Sequence, residues 1–316
     1  MRRPLVIAAL SLTAIASASA GPMLGVLGSA SRFASLTGQR STVGHVIVGW
    51  NQGSTWGAPL AKLFSTHGPV PMFAFTMSRI QPSPHEVITP RKVALGKGDA
   101  YLTALNRAIS AWGRTIFLRP FPEMNGHWNS YCAYTASGRR KDASHSRAMF
   151  RKAFARVYLL LHGGTATQLS ARLRALGLPG VSHDFEVNPY PTLRVLWNPQ
   201  GYGNPNVPGN RARAYYPGNR YVDVVGNDLY DIRGKVEWAA NERLYKAHRS
   251  KPYAIAEWGL WGLDDPAFVR RMGGWARTHH RVQVLAYYAG RAGGIFDLGS
   301  KPRSRAAYRR YITPLG

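Results

Sequence analysis

The sequence predicts a single (β/α)8 barrel, an α/β fold, and three observations carry that expectation. The chain has 316 residues, 45% hydrophobic and 11% aromatic, enough apolar material for one large core. Eight short apolar runs recur along it, most of them continuous rather than alternating, as expected of strands covered on both faces of a parallel sheet. Helical patterns lie between several of these runs, and no linker, repeat or low-complexity tract marks a second domain. The competing arrangement is an open doubly wound sheet.

In chain order, the strand-like runs are 23–27, 45–50, 71–75, 115–118, 193–197, 222–225, 253–256 and 282–287. The clearest helix is 99–112, with Tyr101, Leu102, Leu105, Ala108, Ile109 and Trp112 on one face. A second spans 143–161, and a third, 167–176, ends at Gly177 and Pro179. The fourth is 236–248. The fifth opens with Asp265 as N-cap and Pro266 at the first helical position, and the sixth is 304–312. Long loops are expected at 78–98, 129–142, 180–191 and 198–218. The last is rich in Gly, Pro and Asn, as an irregular surface segment beside a site would be.

The N-terminus reads as a signal peptide over 1–20: Arg2 and Arg3, an apolar stretch over 5–15, then Ala18-Ser19-Ala20. The barrel domain is then 21–316, the protein is expected to be secreted, and no later segment is apolar enough to span a membrane. One cysteine, Cys132, excludes an intrachain disulfide and a cysteine-based zinc cluster. The 41 Lys+Arg against 15 Asp+Glu give a net charge of +26, but the basic residues are scattered and match no nucleic-acid motif. No nucleic-acid partner is therefore expected. A solvated basic surface explains the charge; so does attraction to an anionic wall polymer or acidic polysaccharide outside the cell. The expected oligomeric state is a monomer.

Acid–base chemistry must draw on the few carboxylates or on ten histidines. In a barrel the site lies at the C-terminal ends of the strands, and that rule sorts the carboxylates. Glu237 and Glu242 fall in a helix, Asp99 and Asp265 at helix starts, and Glu86, Asp142, Asp184 and Glu186 in loops. Glu123 and Glu257 stand at the ends of the fourth and seventh strands, with Asp228, Asp231 and Asp297 in reserve. Two opposed carboxyls at a barrel mouth suit glycosidic hydrolysis: one protonates the leaving oxygen, the other attacks the anomeric carbon or activates water. Six of the nine tryptophans (Trp50, Trp56, Trp128, Trp197, Trp258 and Trp261) fall at strand ends or in the loops after them, where flat rings stack on sugar faces. Competing chemistries lack their motifs: there is no G-x-S-x-G elbow, no H-E-x-x-H zinc site and no complete phosphate loop.

The run Arg119-Pro120-Phe121-Pro122-Glu123-Met124-Asn125-Gly126-His127-Trp128 resembles glycoside hydrolase family 26, a β-mannanase family of retaining (β/α)8 enzymes. The likeness continues in Trp197-Asn198-Pro199, in Tyr216-Pro217-Gly218 through Tyr230, and in Ala256-Glu257-Trp258-Gly259. The resemblance implies a secreted retaining endo-β-glycanase acting on mannan-type polysaccharide, with Glu123 as acid/base and Glu257 as nucleophile. β-1,3-Xylan and mixed-linkage β-glucan are alternative substrates, and a non-catalytic carbohydrate-binding barrel is the rival reading. Expected substrate-binding residues are Arg119, Asn125, Trp128, Trp197, Tyr230, Trp258, Trp261 and Tyr287, with Tyr230 also bonding the nucleophile and Arg119 expected to hold it ionised. No metal and no cofactor are expected. Pro122 stands where the family usually has His, and Tyr287-Tyr288 where it usually has a Trp.

Overall fold

The computed structural model describes residues 21–79 and 85–316, so the expected signal peptide lies outside the described residues. Eight parallel strands pair in chain order and close into a barrel: β1 (Met23–Gly28), β2 (Val43–Val48), β3 (Val70–Phe75), β4 (Ile116–Pro120), β5 (Leu193–Trp197), β6 (Val224–Ile232), β7 (Tyr253–Trp261) and β8 (Val282–Gly290). The β1–β8 pairing runs Met23↔Val284 through Val26↔Tyr287 and completes the ring. The helices outside it are α1 (Ala30–Thr37), α2 (Leu60–Ser65), α3 (Pro90–Ala94), α4 (Asp99–Trp112), α5 (Arg147–His162), α6 (Ala166–Arg174), α7 (Trp238–Ala247), α8 (Pro266–Thr278) and α9 (Pro302–Tyr311). No helix among the described residues is long and apolar enough to cross a membrane.

Strand alternation divides the core in two. Val43, Met72, Phe117, Leu196, Val224, Ala254, Ala256, Val284 and Ala286 fill the barrel interior. Their neighbours in sequence, such as Ile116, Leu118, Val225, Ile255, Trp258, Leu285 and Tyr287, pack outward against the helices. Period two thus carries Phe117 to Arg119 on β4 and Val224 to Asp228 and Tyr230 on β6, all facing inward toward the mouth.

β7 breaks this period. Asn227 pairs with Ile255, but Asp228 pairs with Glu257, so one extra residue is accommodated at Ala256. The β7–β8 register shifts over the same stretch. The bulge flips the phase of everything after it. Ala256 and Glu257 both face the interior, and Trp258 faces out.

Two sequence expectations are corrected. β6 and β7 each run to nine residues, well past the expected ends at 225 and 256. Asn227, Asp228 and Glu257 interrupt the apolar pattern because the mouth of a barrel holds polar side chains, not because the strand stops. The segment 143–161 divides into a short 3-10 turn and α5, which starts at Arg147 behind the Ser146 cap. Asp265 does cap α8, accepting from the amides of Ala267 and Phe268 at 2.8 and 3.1 Å.

Candidate active site

Glu123 sits on a sharp turn after β4. Phe121 and Glu123 have φ of 51° and 52°, left-handed values that each cost a non-glycine residue about 1 kcal/mol or more. The turn is held from several sides. Glu123 N donates to Asn198 O (2.7 Å) and Gly126 N donates to Glu123 O (2.8 Å). Tyr131 Oη donates to Pro122 O (2.7 Å) and Asn129 Nδ2 to Glu123 O (3.0 Å). Backbone strain with this much support marks a position whose side chain must point one way. The carboxyl then takes a donor on each oxygen: Trp128 Nε1 on Oε2 at 2.8 Å and Gln200 Nε2 on Oε1 at 3.0 Å. Gly126 makes the first contact possible, since a Cβ there would sit 2.4 Å from the Trp128 ring.

Glu257 is built from the other side of the mouth. Arg119, fully buried on β4, donates through Nη1 to Glu257 and through Nη2 to Asp228. Tyr230 Oη donates to Glu257 Oε2 at 2.6 Å. Beneath them His45 lies buried with Nε2 3.4 Å from Arg119 Nη1. Burial lowers its pKa to about 3, so the ring is neutral and adds no second cation.

The two glutamates are pushed in opposite directions. Burial and the charge of Glu257 raise the pKa of Glu123, and the donors Gln200 and Trp128 oppose this only in part. Burial would raise Glu257 as well, but the Arg119 charge and the Tyr230 hydrogen bond bring it below the ordinary carboxylate range. Asp228 is raised well above that range, by burial and by the charges of Glu257 and Glu123. Glu257 and Asp228 share one buried guanidinium and the charge of Glu123 opposes the ionisation of Asp228, so the three carboxyls titrate together. Environments that drive two carboxyls' pKa values apart suit one to donate a proton and the other to stay ionised.

The structure sorts the expected site residues. It brings Glu123, Glu257, Arg119, Tyr230 and Trp128 together. Trp128 and Trp261 are open, at 38% and 44% exposure, and Trp261 packs on Phe296 and Tyr230 at the rim. Five expectations of direct substrate contact are corrected. Trp197, Trp258 and Tyr287 are fully buried in the outer layer. Trp197 packs on Tyr216 and His248, and Trp258 stacks on Tyr308 (5.5 Å, 5°) and meets Tyr287 edge-on. Asn125 spends both ends of its amide on the loop after β5, bonding Gln200 N and O and Tyr202 O. Arg119 is fully buried and spends Nη1 on Glu257 and Nη2 on Asp228, so it holds the nucleophile candidate and does not reach substrate. His127 packs edge-on against Trp128.

Sequence reasoning passed over Gln200, Tyr202 and His45, and kept Asp228 only in reserve. Tyr202 O accepts from Asn125 Nδ2 at 2.8 Å, and the Tyr288 ring lies edge-on to Tyr230 at 6.1 Å. For Gln200 the available signal was its position, one residue after Trp197-Asn198-Pro199 in the irregular loop. Among the described residues no group of three His, Cys, Asp or Glu side chains is placed to hold a metal ion.

No protein-family profile matches the chain. Endoglucanase H of Acetivibrio thermocellus is 25% identical over 293 residues, covering 89% of this chain and 28% of that protein. The chain thus spans little more than a quarter of the curated relative it matches. Among solved structures, the mannanase man26 of Bacillus subtilis superposes with a TM-score of 0.58 at 15% identity, covering 93% of this chain and 86% of that one. GH26A from Muricauda sp. gives 0.58 at 16% identity, over 93% and 91% of the two chains. The GH26 domain of an endo-β-mannanase/endo-β-glucanase from Prevotella bryantii gives 0.57 at 13%, over 93% and 89%. The chain therefore has the fold of the family 26 glycoside hydrolases and is similar to them along nine-tenths of its length.

Proposed function

We propose that the protein is a glycoside hydrolase, an exported endo-β-glycanase that cleaves mannan-type polysaccharide with retention of configuration. The observation that carries this reading is the pair of carboxyls at the barrel mouth, Glu257 taking donors from Arg119 and Tyr230 and Glu123 from Trp128 and Gln200, with surroundings that lower the pKa of the first and raise that of the second. Glu257 attacks the anomeric carbon while Glu123 gives its proton to the departing glycosidic oxygen. Once Glu257 is esterified its charge is gone, the pKa of Glu123 falls, and the hydrogen bonds from Gln200 and Trp128 favour the carboxylate. Glu123 then takes a proton from water, the water oxygen bonds to the anomeric carbon, and Glu257 leaves. Trp128 and Trp261 offer open rings for sugar faces.

Activity is lost as pH falls through the lowered pKa of Glu257 and again as pH rises through the raised pKa of Glu123, so the active window is wider than two ordinary carboxyls would allow. The test is reducing-sugar release from β-mannan, glucomannan, β-1,3-xylan and mixed-linkage β-glucan. The wild type is expected to act on at least one, and Glu257→Ala to lose roughly 10⁴-fold or more. Glycan binding without release, unchanged by the substitution, sinks the catalytic reading. The endoglucanase name of the curated relative makes the glucan arm of this panel the informative one for substrate identity.

A further inference from the structure

A second cleft, of about 660 Å³, opens between the loops that follow β2, β3 and β4. That volume falls within the range of about 300–1,000 Å³ usual for ligand sites. Its polar lining is Asn51, Thr89 and Ser144 with the cations Arg91, Lys92 and Lys97; its apolar lining includes Val87, Ile88 and Leu95 over Trp50. It neighbours the catalytic turn, because Trp50 stacks on Phe121 (6.3 Å, 26°), two residues before Glu123.

The charge of this cleft is uncompensated. No carboxylate lines it, and none of its three cations forms an ion pair among the described residues. The nearest acids in sequence are turned elsewhere. Glu86 holds His145 Nε2 through both oxygens at 3.0 Å, Asp142 holds His145 Nδ1 at 2.8 Å, and Asp99 holds Arg156 Nε at 2.8 Å. Thr89 Oγ1 accepts from Lys92 N, so its own proton remains free to donate. The apolar part is aliphatic and open, with Val87 44% and Leu95 42% exposed, whereas the one aromatic ring, Trp50, is 3% exposed.

We infer that this cleft is a binding site for an acidic polysaccharide, one whose sugars carry carboxylate or sulfate groups. The cations meet the acid groups, the hydroxyls meet ring oxygens and alcohols, and Val87 and Leu95 meet the C–H faces of the pyranoses. A nucleic acid is disfavoured because base stacking needs an exposed aromatic platform, and the cleft has none. The site is distinct from the glutamate pair, so its occupancy can be read without turnover.

The experiment is calorimetric titration of the full chain with an α-1,4-galacturonate hexamer and with α-1,4-galactohexaose, which differ only in the C6 carboxylates and offer the glutamate pair no β-linkage to cleave. The acidic hexamer should bind at least about tenfold tighter in 50 mM salt and lose that advantage as salt screens it. The triple variant Arg91→Ala/Lys92→Ala/Lys97→Ala alters only exposed side chains and should weaken the acidic hexamer by about tenfold or more, with release from neutral β-glycan unchanged. Arg270→Ala/Arg310→Ala, on α8 and α9, controls for overall positive charge and should change binding by no more than about twofold. Three results overturn the inference: equal binding of both hexamers, full binding by the triple variant, or equal loss in the control. Tighter binding of a DNA hexamer through the same three residues overturns it as well.

Discussion

Glu257 and Trp258 are adjacent in the chain and live in different solvents. Glu257 lies inside the barrel mouth, in a network of Arg119, Asp228, Tyr230 and His45 where each group sets the charge of another. Trp258 lies between sheet and helices, stacked on Tyr308 and edge-on to Phe268 and Tyr287. The mouth of the inner layer is polar, with unpartnered buried atoms at His45 Nδ1, Arg119 Nε and Asp228 Oδ1; in the outer layer the indole nitrogens of Trp197 and Trp258 are unpartnered too. Such atoms cost stability wherever they occur and persist where chemistry needs them. The outer layer is close-packed and nearly all apolar. One layer carries the proposed reaction and the other holds the strands that aim it.

If the two layers are separable, substitutions in them should fail in different ways. The largest effect outside the two glutamates is expected from Trp258→Ala, which empties a fully buried ring site and should cost about 3–5 kcal/mol of stability. Denaturant unfolding measures this, and the pH profile of the molecules that remain folded should not move. A profile that shifts with Trp258 would show the layers to be coupled. Tyr230→Phe works in the opposite sense. Losing a hydrogen bond to a charged group costs about 1.5–3 kcal/mol, roughly ten- to a hundredfold in rate, with little loss of stability. That bond lowers the pKa of Glu257, so its loss should move the acid limb of the rate profile to higher pH.

Smaller effects sharpen the inner layer. Gln200 favours ionised Glu123, so Gln200→Leu should move the basic limb to higher pH and slow hydrolysis of the glycosyl-enzyme several-fold. A burst of the first product in pre-steady-state kinetics would report that change of step; a profile that stays in place removes Gln200 from the site. Trp261→Ala takes one open ring from the rim and should raise KM a few-fold with kcat unchanged, as expected for the loss of a single stacking contact of about 0.5–1.5 kcal/mol. A fall in kcat instead would place Trp261 at the reacting sugar.

The order of strands and the two glutamates were legible because they rest on local pattern. Continuous apolar runs mark buried parallel strands, and Glu123 follows one of them in a distinctive proline-rich turn. Helices α1, α2 and α3 were missed since eight, six and five residues are too few to display a 3.6-residue period. The assignment of all loop and strand-end aromatics to the sugar side failed at Trp197, Trp258 and Tyr287 for a different reason. Which face of a strand is the outer one depends on how the sheet closes. Asn125 failed similarly: its amide is consumed by a loop seventy-five residues further along, a partner no local pattern reveals.

Apolar periodicity and composition belong to the chain alone, and they suffice for the eight-stranded alternation and the scarcity of acids. That Glu257 faces its partners follows from the assembled barrel. Strict period two from Ala254 would turn residue 257 outward, and the extra residue at Ala256 turns it back. A bulge is a mismatch between neighbouring strands, so it exists only once both strands are in place.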